Sequence, residues 1–156
     1  MTEIYEYETV RCSFEDLPGR LSAYFAAHVD GDGKVVLELR APLGDLTLEH
    51  AVIVTLSPLP SYAGYHRMQI HWTPTGQVLY PAFDGTLRAS DEGLGFSRLD
   101  LEGSYDPPFG PAGAIFDAAV GKRVAQSAVR ALLGDVKRSV EAGCTKPATI
   151  LTASAT

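Results

Sequence analysis

The sequence has little that would tie the chain together covalently. Its 156 residues include two cysteines, Cys12 and Cys144, far apart and without a C-x-x-C. Neither a zinc ribbon nor a redox motif is supported, and two free thiols in a reducing compartment are expected. Basic residues are also scarce. Thirteen Lys and Arg stand against nineteen Asp and Glu, for a net charge of −6. That balance argues against a nucleic-acid backbone as partner, because no basic excess exists to displace counterions. It argues equally against docking on an anionic membrane, but leaves room for a small anion held by a single arginine. No run approaches the ~18 apolar residues of a membrane span, so membrane insertion is not expected. Met1 to Tyr7 lacks the basic and apolar regions of a secretory leader. A cytoplasmic protein is the expectation.

Signatures of chemistry are missing too. No G-x-S-x-G and no H-E-x-x-H occurs. Gly110 to Gly113 lacks the Lys-Ser/Thr of a phosphate loop. His28, His50, His66 and His71 show no helical ligand spacing, so no metal and no cofactor is expected.

What is present is a one-domain chain, long enough to bury a core without staples. Ile4 to Ser13 alternates Tyr, Val and Thr with Glu and reads as a strand. Phe14 to His28 has apolar residues at helical spacing, interrupted by Pro18-Gly19, which predicts two short helices. Strands with one dry face follow. Val35, Leu37 and Leu39 share a face, as do Leu46, Leu48, His50, Val52, Val54 and Leu56. His66, Met68, Ile70 and Trp72 share another, then Leu79, Phe83 and Leu87, then Leu99, Leu101 and Tyr105. Pro81 and Gly85 suggest a bulge or sharp bend. One wet face per strand is the pattern of an antiparallel sheet covered on a single side.

The cover is a C-terminal helix, expected from Ala112 to about Ala142 with Gly143 as its stop. Its apolar face includes Ile115, Val124, Ala125, Ala128, Leu132, Val136 and Val140. Asp117 suits the first turns, where the helix dipole favours a carboxylate. Strands in series and then a helix give an α+β fold, here a curled antiparallel β-sheet gripping a long C-terminal α-helix. The domain is expected to span 1–142, with 143–156 a tail of low order.

The element order over 3–142 resembles the START-like, helix-grip proteins, also called the SRPBCC or Bet v 1-like superfamily. Two local segments resemble its uncharacterised bacterial members: Leu79-Tyr80-Pro81-Ala82-Phe83-Asp84-Gly85-Thr86-Leu87, and Leu101 to Gly113 followed by Asp117, Gly121, Arg123-Val124-Ala125 and Leu132-Leu133. The resemblance implies a cavity between sheet and long helix. Known members use it for lipids, sterols, polyketides or hormones, and some are polyketide aromatases or cyclases.

His50, on an apolar strand face, must find a partner or stay neutral. It could hydrogen-bond a ligand, or be a core histidine held by a neighbour. His66 belongs near a rim. Met68 and Trp72 could line a cavity, with Phe83, Leu99, Leu101, Val124 and Ala128, or simply fill a core. Tyr105 needs a partner for its buried phenol. Three functions follow. The first is non-catalytic binding of a small hydrophobic molecule. The second is an aromatase/cyclase-type enzyme using His50 or Tyr105 as acid–base. The third is an interaction module with a filled core, whose outer-face Tyr65, Arg67 and His71 meet another protein or form a homodimer.

Overall fold

The computed structural model describes residues 2–43, 45–76, 82–106 and 118–144. Six strands form one antiparallel sheet: β1 (Thr2–Val10), β2 (Val35–Leu43), β3 (Leu46–Pro58), β4 (Tyr65–Pro74), β5 (Ala82–Gly93) and β6 (Phe96–Asp106). Helix α1 (Leu17–Ala26) follows β1, and helix α2 (Ala118–Cys144) closes the described chain. The strand order is β1-β6-β5-β4-β3-β2, so β1 and β2 are the two edges.

Helix α2 packs against both edges. In a flat sheet the outer strands of six lie about 24 Å apart, five spacings of about 4.8 Å. A helix about 10–12 Å across cannot bridge that gap. The sheet must therefore curl around the helix, as the expected α+β grip requires. The buried stripe of α2 runs Gly121, Val124, Ala125, Ala128, Val129, Leu132, Leu133, Val136 and Val140, the i, i+3, i+4 pattern of one helix face. Ion pairs fasten both flanks. Arg130 donates to Glu6 at 2.7 Å and Lys137 to Glu8 at 3.4 Å, both on β1, while Asp135 meets Arg40 of β2 at 3.7 Å. Half-exposed pairs of this kind contribute about 0–1 kcal/mol each. Burial of the apolar stripe stabilises the grip more than these pairs do.

Period-2 alternation places the dry faces as the sequence predicts. Leu37, Leu39, Val52, Val54, Ile70, Trp72, Phe83, Leu87, Leu99, Leu101 and Tyr105 are all buried. Direct cross-strand register lines up Val54, Trp72, Phe83 and Tyr105 in one row. The Trp72 and Phe83 rings stack with centroids 4.4 Å apart, an arrangement worth about 0.5–1.5 kcal/mol beyond area burial.

Four expectations change. One short helix, not two, follows β1, because Pro18 stands in its first turn, where the missing N–H costs nothing. Gly143 does not stop α2, which continues to Cys144. A Cβ at Gly143 would lie 2.8 Å from the Arg20 guanidinium, so this glycine permits close approach between the two helices. Gly85 is not a bulge. It pairs in register with Gly103, and the irregularity lies at Asp91/Gly93. Finally, Cys12 and Cys144 are not free thiols but a disulfide, with Cα atoms 5.4 Å apart. The grip brings the end of α2 back to the segment after β1 across 132 residues of sequence, a proximity that spacing alone does not reveal. Leu79, Pro81, Ile115, Asp117, the Gly110–Gly113 stretch and the tail beyond Cys144 lie outside the described residues, as do the side chains of Leu46 and Leu48. No helix among the described residues is long and apolar enough to cross a membrane.

Candidate functional site

An apolar crevice of about 350 Å³ opens between α1 and the β3–β4 hairpin. Ser22 and Phe25 line it from the helix. Leu56, Ser57 and Pro58 come from the end of β3, and His66, Arg67 and Met68 from the start of β4. The local sequence accounts for the opening. Pro58 and Pro60 end the strand run, since proline cannot donate to a ladder. The chain then returns through Gly64, at φ 79°, into β4. Met68 pairs with Pro58, which sets His66 two residues beyond the last β3 partner, at the rim. Leu56 and Met68 are only partly buried although they pack against the core. That half-covered apolar surface is where further burial is still available.

The structure brings together two of the candidate residues, His66 and Met68, in this crevice. The others lie deeper. Trp72, Phe83, Leu99, Leu101, Tyr105, Val124 and Ala128 are each no more than 3% exposed. His50 lies elsewhere on β3. Its Nε2 donates to the Thr75 backbone oxygen at 2.8 Å and stands 3.3 Å from Thr75 Oγ1. Donation to a carbonyl places the proton on Nε2, so that nitrogen ties β3 to the segment that follows β4. Tyr105 points at α2, where a Cβ at Gly121 would lie 3.4 Å from its hydroxyl. The absence of a side chain at 121 gives the phenol its room.

Sequence reasoning missed Ser22, Phe25, Leu56, Ser57 and Pro58, and read Arg67 only as an outer-face residue. A signal existed for one of them: Phe25 shares the helical spacing of Leu17 and Leu21. Which sheet end α1 would cover is a tertiary fact that this spacing does not contain.

No family model matches the chain, and no curated protein matches it. Solved structures do. The Thermus thermophilus protein TTHA0849 is similar at a TM-score of 0.53 and 15% identity, over 91% of this chain and 99% of that one. A conserved protein from Geobacillus kaustophilus is similar at a TM-score of 0.59 and 12% identity, over 93% and 96%. The fold is helix-grip-like. At these identities the likeness concerns the fold alone, and a fold hosts many functions.

Proposed function

We propose that the chain binds a small hydrophobic molecule, without catalysis, in the crevice between α1 and the β3–β4 hairpin. The supporting observation is the crevice itself: about 350 Å³, walled by Phe25, Leu56, Pro58 and Met68, with His66, Arg67 and two serines as its polar points. Ligand sites are commonly apolar clefts of about 300–1,000 Å³ with a few polar groups that fix orientation. Apolar contact would supply affinity at about 25 cal/mol per Å² before ordering costs. His66 would orient a carbonyl or hydroxyl at the rim. In this reading Trp72, Phe83, Leu99, Leu101, Tyr105, Val124 and Ala128 form the floor behind the crevice, and a longer guest would have to displace them. Membership of the START-like superfamily belongs to the same proposal. It rests on the helix-grip-like fold together with the segments Leu79 to Leu87 and Leu101 to Gly113.

No particular observation favours the aromatase/cyclase reading, since Nε2 of His50 is engaged by Thr75. A homodimer through Tyr65, Arg67 and His71 is an alternative that sedimentation would report. The cytoplasmic location is proposed with a condition. In a reducing compartment the bond between Cys12 and Cys144 would exchange with the thiol pool.

Native mass spectrometry of freshly purified protein, with a thermal-shift panel of lipids and polyketides, tests the binding. A retained apolar mass or a rise in Tm with one chemical class is expected. No bound mass and no shift from any apolar compound would overturn the proposal.

A further inference from the structure

A second pocket, of about 160 Å³, lies on the opposite, convex face of the sheet. It is lined by Tyr5, Arg67, Thr86, Arg88, Asp100 and Glu102. Register builds it. Asp100 of β6 stands directly opposite Arg88 of β5, and Arg88 directly opposite Arg67 of β4. Two arginines thus stand in register on neighbouring strands and line one pocket, a like-charge pairing that costs free energy unless an anion is shared. Neither is neutralised at hydrogen-bond distance. Arg67 donates through Nε and Nη2 to the Pro60 backbone oxygen at 3.2 and 3.1 Å. Arg88 comes no nearer than 3.6 Å to Asp100 Oδ2 and lies over the Tyr65 ring.

Asp100 is the floor of this pocket and is 3% exposed although it faces away from α2. Its Oδ1 accepts from the Tyr5 hydroxyl and from Arg98 Nε. Its Oδ2 is buried and has no hydrogen-bond partner. A carboxylate oxygen taken from water without a donor is costly, and its burial calls for one.

We propose that this pocket binds a small monocarboxylate that also carries a hydroxyl or amino group. The carboxylate would sit between Arg67 and Arg88, where guanidinium geometry suits it. The ligand's own donor would reach Asp100 Oδ2, and Thr86 would flank it. Glu102 at the rim opposes a second negative charge, which disfavours dianions. At about 30 Å³ per water, the volume equals about five waters. That admits a three- or four-carbon acid and excludes an acyl chain or ring system, so the site differs in chemistry from the apolar crevice, with which it shares Arg67 as a lining residue.

The test is an amide chemical-shift titration with L-lactate and L-serine, and with acetate and inorganic phosphate as controls. Lactate or serine should move the signals of Thr86, Arg88, Asp100 and Glu102 saturably, with both controls at least about 10-fold weaker. Arg88→Gln should abolish the response while the amide spectrum stays that of the folded protein, and Arg67→Gln should do so independently, so a folding defect in one variant leaves the other decisive. Asp100→Asn should erase the preference for lactate over acetate. No saturable shift, an equal response to acetate or phosphate, or an unaltered response in both arginine variants would overturn the proposal.

Discussion

Gly85 and Gly103 face each other across β5 and β6, and the Phe83 ring lies against both positions. A Cβ at Gly85 would collide with the Glu102 backbone oxygen and come within 2.7 Å of the Phe83 ring. One at Gly103 would collide with the Asp84 backbone oxygen and come within 2.8 Å of the same ring. The pair lets the ring lie flat on the sheet, where it also stacks on Trp72. An aromatic ring covering paired glycines is a known way of restoring buried area where side chains are absent.

Alanine at either position should therefore destabilise the protein by roughly 2–3 kcal/mol through overpacking against backbone. Gly134→Ala should do the reverse. Its Cβ would meet only Arg138 Nη1, at 3.5 Å, and alanine is the better helix former by about 1 kcal/mol. Urea unfolding of the three variants checks the contrast.

Reducing the bond between Cys12 and Cys144 should lower stability by about 2–5 kcal/mol, because the cross-link closes a very long loop in the unfolded chain. Thermal unfolding with and without reductant reports the loss. Thiol titration of the unreduced, denatured protein should find no free cysteine.

Alkaline pH supplies a third test. Burial pushes the Tyr24 phenol up to about 12, with the nearby Asp135 carboxylate adding to the effect. The Tyr5 phenol is also raised, first by its hydrogen bond to Asp100. Both groups hold their proton more tightly when folded than at the ordinary tyrosine value of about 10. Their contribution is thus complete below about pH 10 and is lost at higher pH, for Tyr24 as the pH climbs towards about 12. Phenolate absorbance should show a phase near pH 12 that disappears in Tyr24→Phe, and the same variant should lose its part of the pH dependence of stability.

Leu94 offers a gain. It sits between Gly93 and Gly95 at φ 57° and is 99% exposed. A left-handed conformation costs an L-residue about 1–2 kcal/mol, and asparagine bears it better than leucine. Leu94→Asn should raise stability by about 0.5–1 kcal/mol in thermal unfolding.

The sheet is readable because strand parity is a local, period-2 property: Val35 to Leu39 and Leu99 to Tyr105 sort themselves without knowledge of the rest. The face of α2 is readable for the same reason at period 3.6. What escapes depends on distant partners. Pro18 reads as a helix breaker until its first-turn place is known. Asp100 reads as a solvated residue until Tyr5, Arg88 and Arg98 gather over it from two other strands and its own. The crevice beside Met68 needs α1 to be set over β3 and β4, which no spacing encodes. His50 reads more readily as a satisfied core residue than as a ligand contact, and Thr75 accounts for its Nε2.

The most direct test of the binding account is a fluorescence titration with the uncharged probe N-phenyl-1-naphthylamine. Saturable one-site binding to the folded protein is expected. Binding should weaken at least about 10-fold in Ser22→Trp, which fills the crevice from an exposed helix position, and remain intact in Arg88→Gln. Non-saturable fluorescence, or equal affinity in Ser22→Trp, would contradict it.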